Sequence, residues 1–574
     1  MRPFCSSLLL LFMVSMTTNL RSQQIEAVPP TPATEVADSF RTLDGFQMTV
    51  IAAEPLVTDP VALCYDAKGR LYVAEMNDYP YTDKATHKPM QENPTDRPIG
   101  KIRRLEDTDG DGRFDSATVF AESLSWPTGI AAWKDGIFVT AAPDLWYLKD
   151  TDGDGKADVR ERILTGYRKY NVQAEVNNPI WGLDHQLYIA SASNGGRIYV
   201  PAAGSGSAVD LGRNDIRIDP NDLSKFEKIT GGIQFGNTFD DWGNRFLCNN
   251  SLPLVHAVFP MSALDRNPWL PTRRAVENCP DPNEPIQLFP TTSIEGWRLQ
   301  RYKDREHVPR KGYRPPRGLK PGDPSSPTSS SAPIVYRGDA YPERHRGTVF
   351  VAEPCYNLVY RLKLEPVGPT FIARKPASDN ASDMVTSRDV WFRPICFANA
   401  PDGCLHIADF YRESIEHPWS LPEDFHARMD LERGKDRGRI YRLEPPGFQP
   451  RAAPHLDELS SQDLVPLLAH PNAWHRETAH RLLFERQDST VANAVRGLLS
   501  KSEAPLGRLH ALWTLHGLGL LQENDVAASL RDAASGVRVN AVRLACLKAR
   551  EWPALLETLA NCAADPDAAV RFEV

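Results

Sequence analysis

The sequence is short of the motifs that carry most metal, nucleotide and nucleophile chemistry. Its nine cysteines in 574 residues include no C-x-x-C pair, so it encodes neither a thiolate zinc site nor a c-type haem attachment. It holds no P-loop, no G-x-G-x-x-G, no G-x-S-x-G and no H-E-x-x-H. Nicotinamide, serine-esterase and zinc-protease readings therefore lack their usual signatures. Positive charge is also scarce: 66 Lys and Arg face 74 Asp and Glu, for a formal net charge of -8. This argues against a nucleic-acid partner, because phosphate binding draws on a positive surface. No apolar run reaches the ~18 residues of a membrane span. Aromatic residues make up only 9%, but 41% hydrophobic content excludes a disordered chain. With 48 prolines, a large, mildly acidic, β-rich or mixed protein is expected.

Residues 1–30 read as an export signal. Arg2 gives the positive start, Leu8 to Val14 the apolar stretch, and Thr17, Thr18 and Asn19 the polar exit. No A-x-A site follows, so cleavage is expected loosely within 18–30; an uncleaved membrane anchor is the alternative. The expected location is the periplasm or cell surface, with a linker over 31–44. Cys5 falls in the signal. The other eight cysteines permit disulfides in an exported chain but dictate no framework. Cys396 and Cys404 flank one turn and are open to pairing or to burial as thiols.

One pattern recurs six times between residues 45 and 445. A lead-in marked by Pro60, Pro127, Pro179, Gly231-Gly232, Pro333 or Pro394 opens an apolar strand, and a polar turn leads to a second strand. The second strands are 71–74, 137–140, 187–190, 246–248, 349–352 and 405–408. Short β-branched and aromatic runs bounded by turn residues are strands. A repeated unit too small to bury its own face predicts a six-bladed β-propeller over 45–450. A Pro-, Arg- and Ser-rich surface insertion is expected over 259–331.

The sequences DTDGDGRFD and DTDGDGKAD begin at Asp107 and Asp150, 43 residues apart, about one blade. Each follows an alternating strand and is expected on the hairpin between a third and a fourth strand. Carboxylates at alternate positions with a glycine at the sixth can wrap calcium in oxygen ligands. The first loop offers Asp107, Asp109, Asp111 and Asp115; the second offers Asp150, Asp152, Asp154, Asp158 and Glu161. A structural calcium is expected, with a solvated acidic turn as the alternative.

From about His455 helical periodicity takes over, in 464–468, 479–484, 509–515, 539–547 and 555–560. Arg476, Arg508, Arg538 and Arg571 recur at 32, 30 and 33 residues, the rhythm of paired-helix repeats. An α-helical HEAT-like solenoid is expected over 455–574. It would either dock a protein partner or only buttress the propeller. The chain ends inside a helix with no polar cap, which reads as truncation.

The residues after the second strands are Glu75, Ala141, Ser191, Asn249, Glu353 and Asp409. The three acids belong to blades that become neighbours once a ring closes. Glu75, Glu353 and Asp409 are therefore candidate catalytic or cation-binding groups at one mouth. Arg393 could pair a carboxylate-bearing ligand, a quinone included, through its planar fork. Asn178 and Asn249 are further cofactor contacts, and His256 and His417 are weaker candidate bases. The alternative for each acid is a purely structural bond to backbone amides between blades. Trp126, beside its lead-in proline, could stack on a sugar.

The segments 45–76, 239–250, 392–418 and 438–446 resemble large exported proteins of planctomycete-type bacteria that carry the label membrane-bound dehydrogenase. Their propeller is similar to that of soluble quinoprotein glucose/sorbosone dehydrogenases, and HEAT-like repeats and a cytochrome c domain often follow. The resemblance implies pyrroloquinoline quinone as cofactor, a carbohydrate or small alcohol as substrate, and a cytochrome as electron acceptor. In those sugar dehydrogenases a catalytic histidine precedes the strand whose turn is here Gly182-Leu183-Asp184. Residues 173–179 contain no histidine, and no haem motif follows in this chain. Three readings remain: an exported quinoprotein-type sugar dehydrogenase, a non-catalytic glycan- or protein-binding scaffold, and a metal-dependent lactonase-like hydrolase.

Overall fold

The computed structural model describes residues 27–88, 91–92, 97–267, 269, 275–296, 298, 321–416, 418, 421 and 423–574. Residues 1–26 of the expected signal and His417 lie outside the described residues.

Six antiparallel sheets form in chain order. Their innermost strands are Pro60–Tyr65, Pro127–Trp133, Asn177–Trp181, Phe235–Phe239, Ser331–Val335 and Pro394–Asn399. Each packs beside the next, and the sixth packs beside the first, so the sheets close into a six-bladed propeller. The last blade is completed from the N-terminus: Gln47–Ala53 pairs with Arg439–Glu444 as its outermost strand. Phe40–Thr42, inside the segment expected to be linker, pairs with Val385–Ser387 on the fifth blade. The fourth blade's outer strand, Val276–Asn278, lies inside the expected insertion.

The lead-in prolines have a physical reason. An innermost strand has one edge facing the channel, where proline's missing N–H breaks no ladder. Every innermost strand also carries a register shift near its start. Four of them are preceded or opened by a left-handed residue: Asp59, Trp126, Asn178 and Ala332. The second strands read as continuous apolar runs because both of their faces are covered. Leu71–Glu75, Val349–Glu353 and Leu405–Asp409 are buried at every position.

The C-terminal part is helical. The helices Ala473–Arg486, Pro505–Gly517, Ser535–Lys548 and Ala568–Glu573 contact one another in sequence, with shorter helices between them. The recurring arginines stitch this row. Arg508 pairs with Asp532 and Arg538 with Asp565, while each also donates to carbonyls five and six residues before it. Among the described residues no helix is long and apolar enough to cross a membrane.

The row lies across the face formed by the turns between first and second strands. Asn472 caps the helix Ala473–Arg486 and donates to the Ala400 and Pro401 carbonyls of blade six. Arg337 of blade five pairs with Glu477. Asn540 donates to the Trp242 carbonyl of blade four at 3.1 Å.

Candidate functional site

The channel between the six innermost strands encloses a cavity of about 230 Å³. Its wall includes Cys64, Tyr65, Asn178, Asn237, Cys396 and Asn399. Trp474, Glu477, Thr478 and Arg481 of the helix Ala473–Arg486 complete its lining from the helical side. At the opposite mouth Met76, Tyr79, Trp126, Val172 and Phe410 form an apolar cluster from blades one, two, three and six.

The ring places Glu75, Glu353 and Asp409 at the ends of second strands on this mouth side, but each is fully buried and committed to the chain around it. Glu75 accepts from Thr58 N at 2.8 Å and holds Arg103 through both oxygens. Glu353 accepts from Ser329 N and Ser329 Oγ, both at 2.7 Å, and from Thr328 and Ser330. Asp409 Oδ1 accepts from Arg393 N at 2.7 Å and Tyr411 N at 2.9 Å. Burial pushes the Glu353 and Asp409 carboxyls up to about 7. Each acid thus ties the lead-in of its own blade to that blade's second strand.

Arg393 is equally occupied. It donates to the Pro354, Arg412 and Glu413 carbonyls and pairs with Glu295 at 2.9 Å. Asn178 lines the cavity, while Asn249 accepts from the next residue's amide. His256 lies on the third strand of blade four, stacked on Phe246 and bonded to Thr370. It is a residue of the seam between blades four and five.

A different carboxyl stands out. Glu175, in the lead-in of blade three, is 2% exposed; its Oε1 accepts from Asn194 Nδ2 at 3.0 Å and its Oε2 is buried with no partner among the described residues. Burial holds its pKa well above the ordinary carboxylate range, against the opposing pull of Lys169. Lys169 Nζ lies 4.2 Å from the Trp126 ring centroid, and Trp126 hangs from Asp78 through its backbone and indole N–H groups. Gln173 bridges Tyr79 of blade one and Gln234 of blade four. Asn177 Oδ1 and Ser191 Oγ are also buried without partners. Lead-ins of several blades therefore meet around one buried carboxyl and several unused polar atoms. Sequence reasoning passed over Glu175 because an acid in a polar loop carries no periodic signal.

Both acidic loops lie between third and fourth strands, in blades one and two. Carboxylate oxygens of Asp107, Asp109 and Asp111 lie within 4.8 Å of one another, as do those of Asp150, Asp152 and Asp158. This donor set fits a hard cation. The other acids stand outside these groups: Asp115 bonds Thr108, Asp154 caps the Lys156 amide, and Glu161 sits on the following strand opposite Tyr147. Each loop also clasps the preceding blade: Phe114 N donates to the Ile51 carbonyl and Ala157 N to the Phe120 carbonyl, both at 2.8 Å. All eight cysteines in the described residues are free thiols.

Residues 32–447 match the family model described as Domain of unknown function (DUF7133), well over half of the chain. The chain belongs to the DUF7133 family. In this DUF7133 protein the match ends at Gly447, just past the last propeller strand and before the helical row. No curated protein matches it. Among solved structures, the chain is similar to the holo pyranose dehydrogenase PQQ domain of Coprinopsis cinerea, at 14% identity and a TM-score of 0.38, over 71% of this chain and 97% of that one. It is similar to the PQQ-bound aldose sugar dehydrogenase of Streptomyces coelicolor, at 15% identity and a TM-score of 0.37, over 70% and 100%. A calcium structure of a Trichoderma reesei family AA12 enzyme is similar at 12% identity and a TM-score of 0.37, over 73% and 99%. At these scores the likeness carries no inference about what the DUF7133 protein does.

Proposed function

We propose that this protein is an exported, carbohydrate-directed propeller whose mouth receives a sugar or related alcohol at Glu175. The observation that carries the reading is the buried, unpartnered Glu175 Oε2 beside Lys169, Trp126 and Asn177. A carboxyl whose proton affinity is raised by burial donates a hydrogen bond to a hydroxyl oxygen while protonated, or takes the hydroxyl proton once ionised. Trp126 supplies the apolar face that sugars stack upon. Both side chains are covered in this conformation, so binding is coupled to opening of the lining around them. Calcium at the two acidic loops would clasp neighbouring blades, away from this mouth.

The donor set does not fit a tricarboxylate quinone. The guanidinium groups at this end already hold protein acids: the part-exposed Arg103 with Glu75, and the buried Arg393 with Glu295, Arg412 with Asp59 and Arg439 with Glu54. Lys169 is a single ammonium facing the Glu175 carboxyl. No step is therefore derived through a quinone. Sugar oxidation, with its cytochrome acceptor, is a second reading. It is favoured by the position of Glu175 in residues 173–179, the stretch where the resemblance puts a catalytic histidine. The lactonase reading is not favoured, because Glu75, Glu353 and Asp409 hold protein donors.

The test uses the full chain with a panel of neutral sugars, followed by calorimetry, lactone hydrolysis and dye reduction with pyrroloquinoline quinone and calcium. Sugar binding is expected, weakened about tenfold in Glu175→Ala, a loss of the size of one buried hydrogen bond. Glu175→Gln should keep binding and remove any turnover. Dye reduction that needs Glu175 would establish the second reading, and a need for added quinone would show that the site takes one after all. Absence of sugar binding, or binding indifferent to Glu175→Ala, would overturn the proposal.

A further inference from the structure

The contact between the propeller and the helical row is built on histidine. The chain has fourteen, and His185, His470, His475, His480, His510 and His516 lie at or next to this contact. Three of them touch. His185, on the turn between the first two strands of blade three, stacks on His480 with ring centroids 4.2 Å apart, and on Phe484 from its other side at 4.2 Å. His480 Nδ1 lies 3.1 Å from His510 Nδ1, so one of these nitrogens donates and the other accepts. His185 Nε2 lies 3.0 Å from the Trp513 carbonyl and donates to it. All three rings are buried. Gly517 lies so close under His185 that an added Cβ would fall 2.2 Å from Nε2, so the ring has no room to retreat.

Such a stack disfavours protonation. Two facing nitrogens cannot both carry protons, and two stacked imidazolium rings repel at van der Waals distance. The charged neighbours offer no relief. Around His480 and His510, Arg337 pairs with Glu477, Arg476 with Asp241, and Arg481 with Glu485. On the propeller side Asp240 holds Asn244 and the Trp242 amide, and Asp184 holds Arg217. On the far side His516 faces Lys548, Glu551 and Asp184. The nearby acids are thus already paired or bonded, and the cations add repulsion.

We propose that this stack is a pH-sensitive catch, which holds the helical row against the propeller at neutral pH and releases it on acidification. The helix that carries His480 also supplies Trp474, Glu477 and Arg481 to the channel lining, so release opens the channel from below. Burial holds the protonation of His480 down to about 4, and that of His185 and His510 well below the usual histidine range. A histidine freed from the contact binds a proton below about pH 6.5. Release separates His185 from His480 while the His480–His510 contact stays within the row, so the released form takes up to two protons that the docked form lacks. Docking then weakens up to about 100-fold per pH unit over the window from about 6 towards 4.

The experiment is small-angle scattering and circular dichroism on the full chain from pH 7.5 to 4.5, beside a His480→Gln, His510→Gln variant. The expected result is an increase in radius of gyration with the β signal retained, reversible on return to pH 7.5. In the variant the midpoint moves down and the transition becomes shallower. Unchanged dimensions to pH 4.5, or loss of β signal together with the expansion, would overturn the proposal. If the variant does not fold, the wild-type imidazole resonances decide. Three rings staying neutral until the expansion support the catch; titration of all buried rings near 6.5 in the compact form refutes it.

Discussion

Arg412 and Asp59 close the ring with a two-pronged ion pair, Nε to Oδ1 at 2.7 Å and Nη2 to Oδ2 at 2.8 Å, both side chains fully buried. Asp59 stands at the lead-in of blade one and Arg412 just past the second strand of blade six, so residues 353 apart in sequence join the two ends of the propeller. A charge left alone at such a site is costly, more so than the pair is favourable.

Arg412→Ala should therefore cost about 3–5 kcal/mol. The double change Arg412→Met, Asp59→Asn should recover most of it, because it strands no charge and Asn tolerates the left-handed backbone at this position. Urea denaturation of the three proteins checks both values.

Asp409 makes stability depend on pH in a definite direction. Its folded value, about 7, lies above the ordinary 3.8 because burial disfavours the carboxylate. The contribution of the protonated group is thus full below about pH 4 and falls away as pH rises through about 7. Asp409→Asn keeps an oxygen for the Arg393 and Tyr411 amides and cannot ionise. The variant should gain roughly 2–4 kcal/mol on the wild type between pH 4 and 8. Denaturation at several pH values measures it, and parallel curves would show that Asp409 stays ionised throughout.

Asn472 caps its own helix and joins the two parts of the protein by two bonds: its side chain accepts from the Trp474 amide and donates to the Ala400 and Pro401 carbonyls at 3.0 and 3.1 Å. Asn472→Ala removes the cap and both cross-contact bonds, although Gly403 N and His475 Nε2 still reach those carbonyls. A loss of about 2–4 kcal/mol is expected. Asn472→Asp, which keeps the cap alone, should lose less if the cap dominates and as much if the carbonyl contacts do. Proteolysis rates at the junction near residues 445–460 report the difference.

The acidic loops should respond to calcium. A chelator is expected to lower the melting temperature, by an amount equivalent to about 2.7 kcal/mol if calcium stood at a hundred times its dissociation constant. Asp107→Asn with Asp150→Asn should abolish the response. A melting temperature indifferent to chelator would mean that the clasps at Phe114 and Ala157 hold through hydrogen bonds alone.

Much of the architecture was legible in the sequence because it rests on local, repeated signals. The lead-in prolines mark strand edges that face the channel, and the paired acidic loops fall at equivalent hairpins of consecutive blades. The arginines near every thirtieth residue of the C-terminal part mark the ladder that Arg508 and Arg538 make. What each polar side chain bonds was not legible. Glu75, Glu353 and Asp409 stand at equivalent strand ends, yet lead-in amides occupy an oxygen of each. Among the described residues Asp409 Oδ2 and, in an unremarkable loop, Glu175 Oε2 are buried without partners.

By itself, then, the amino-acid order determined that six small sheets form and that helices follow, since strand and helix periods are written in neighbouring residues. Only the tertiary structure decided which acids keep an unpartnered oxygen, which helix lines the channel and which histidines meet. Those outcomes depend on segments far apart in the chain arriving at one place, where burial and not residue type sets the chemistry.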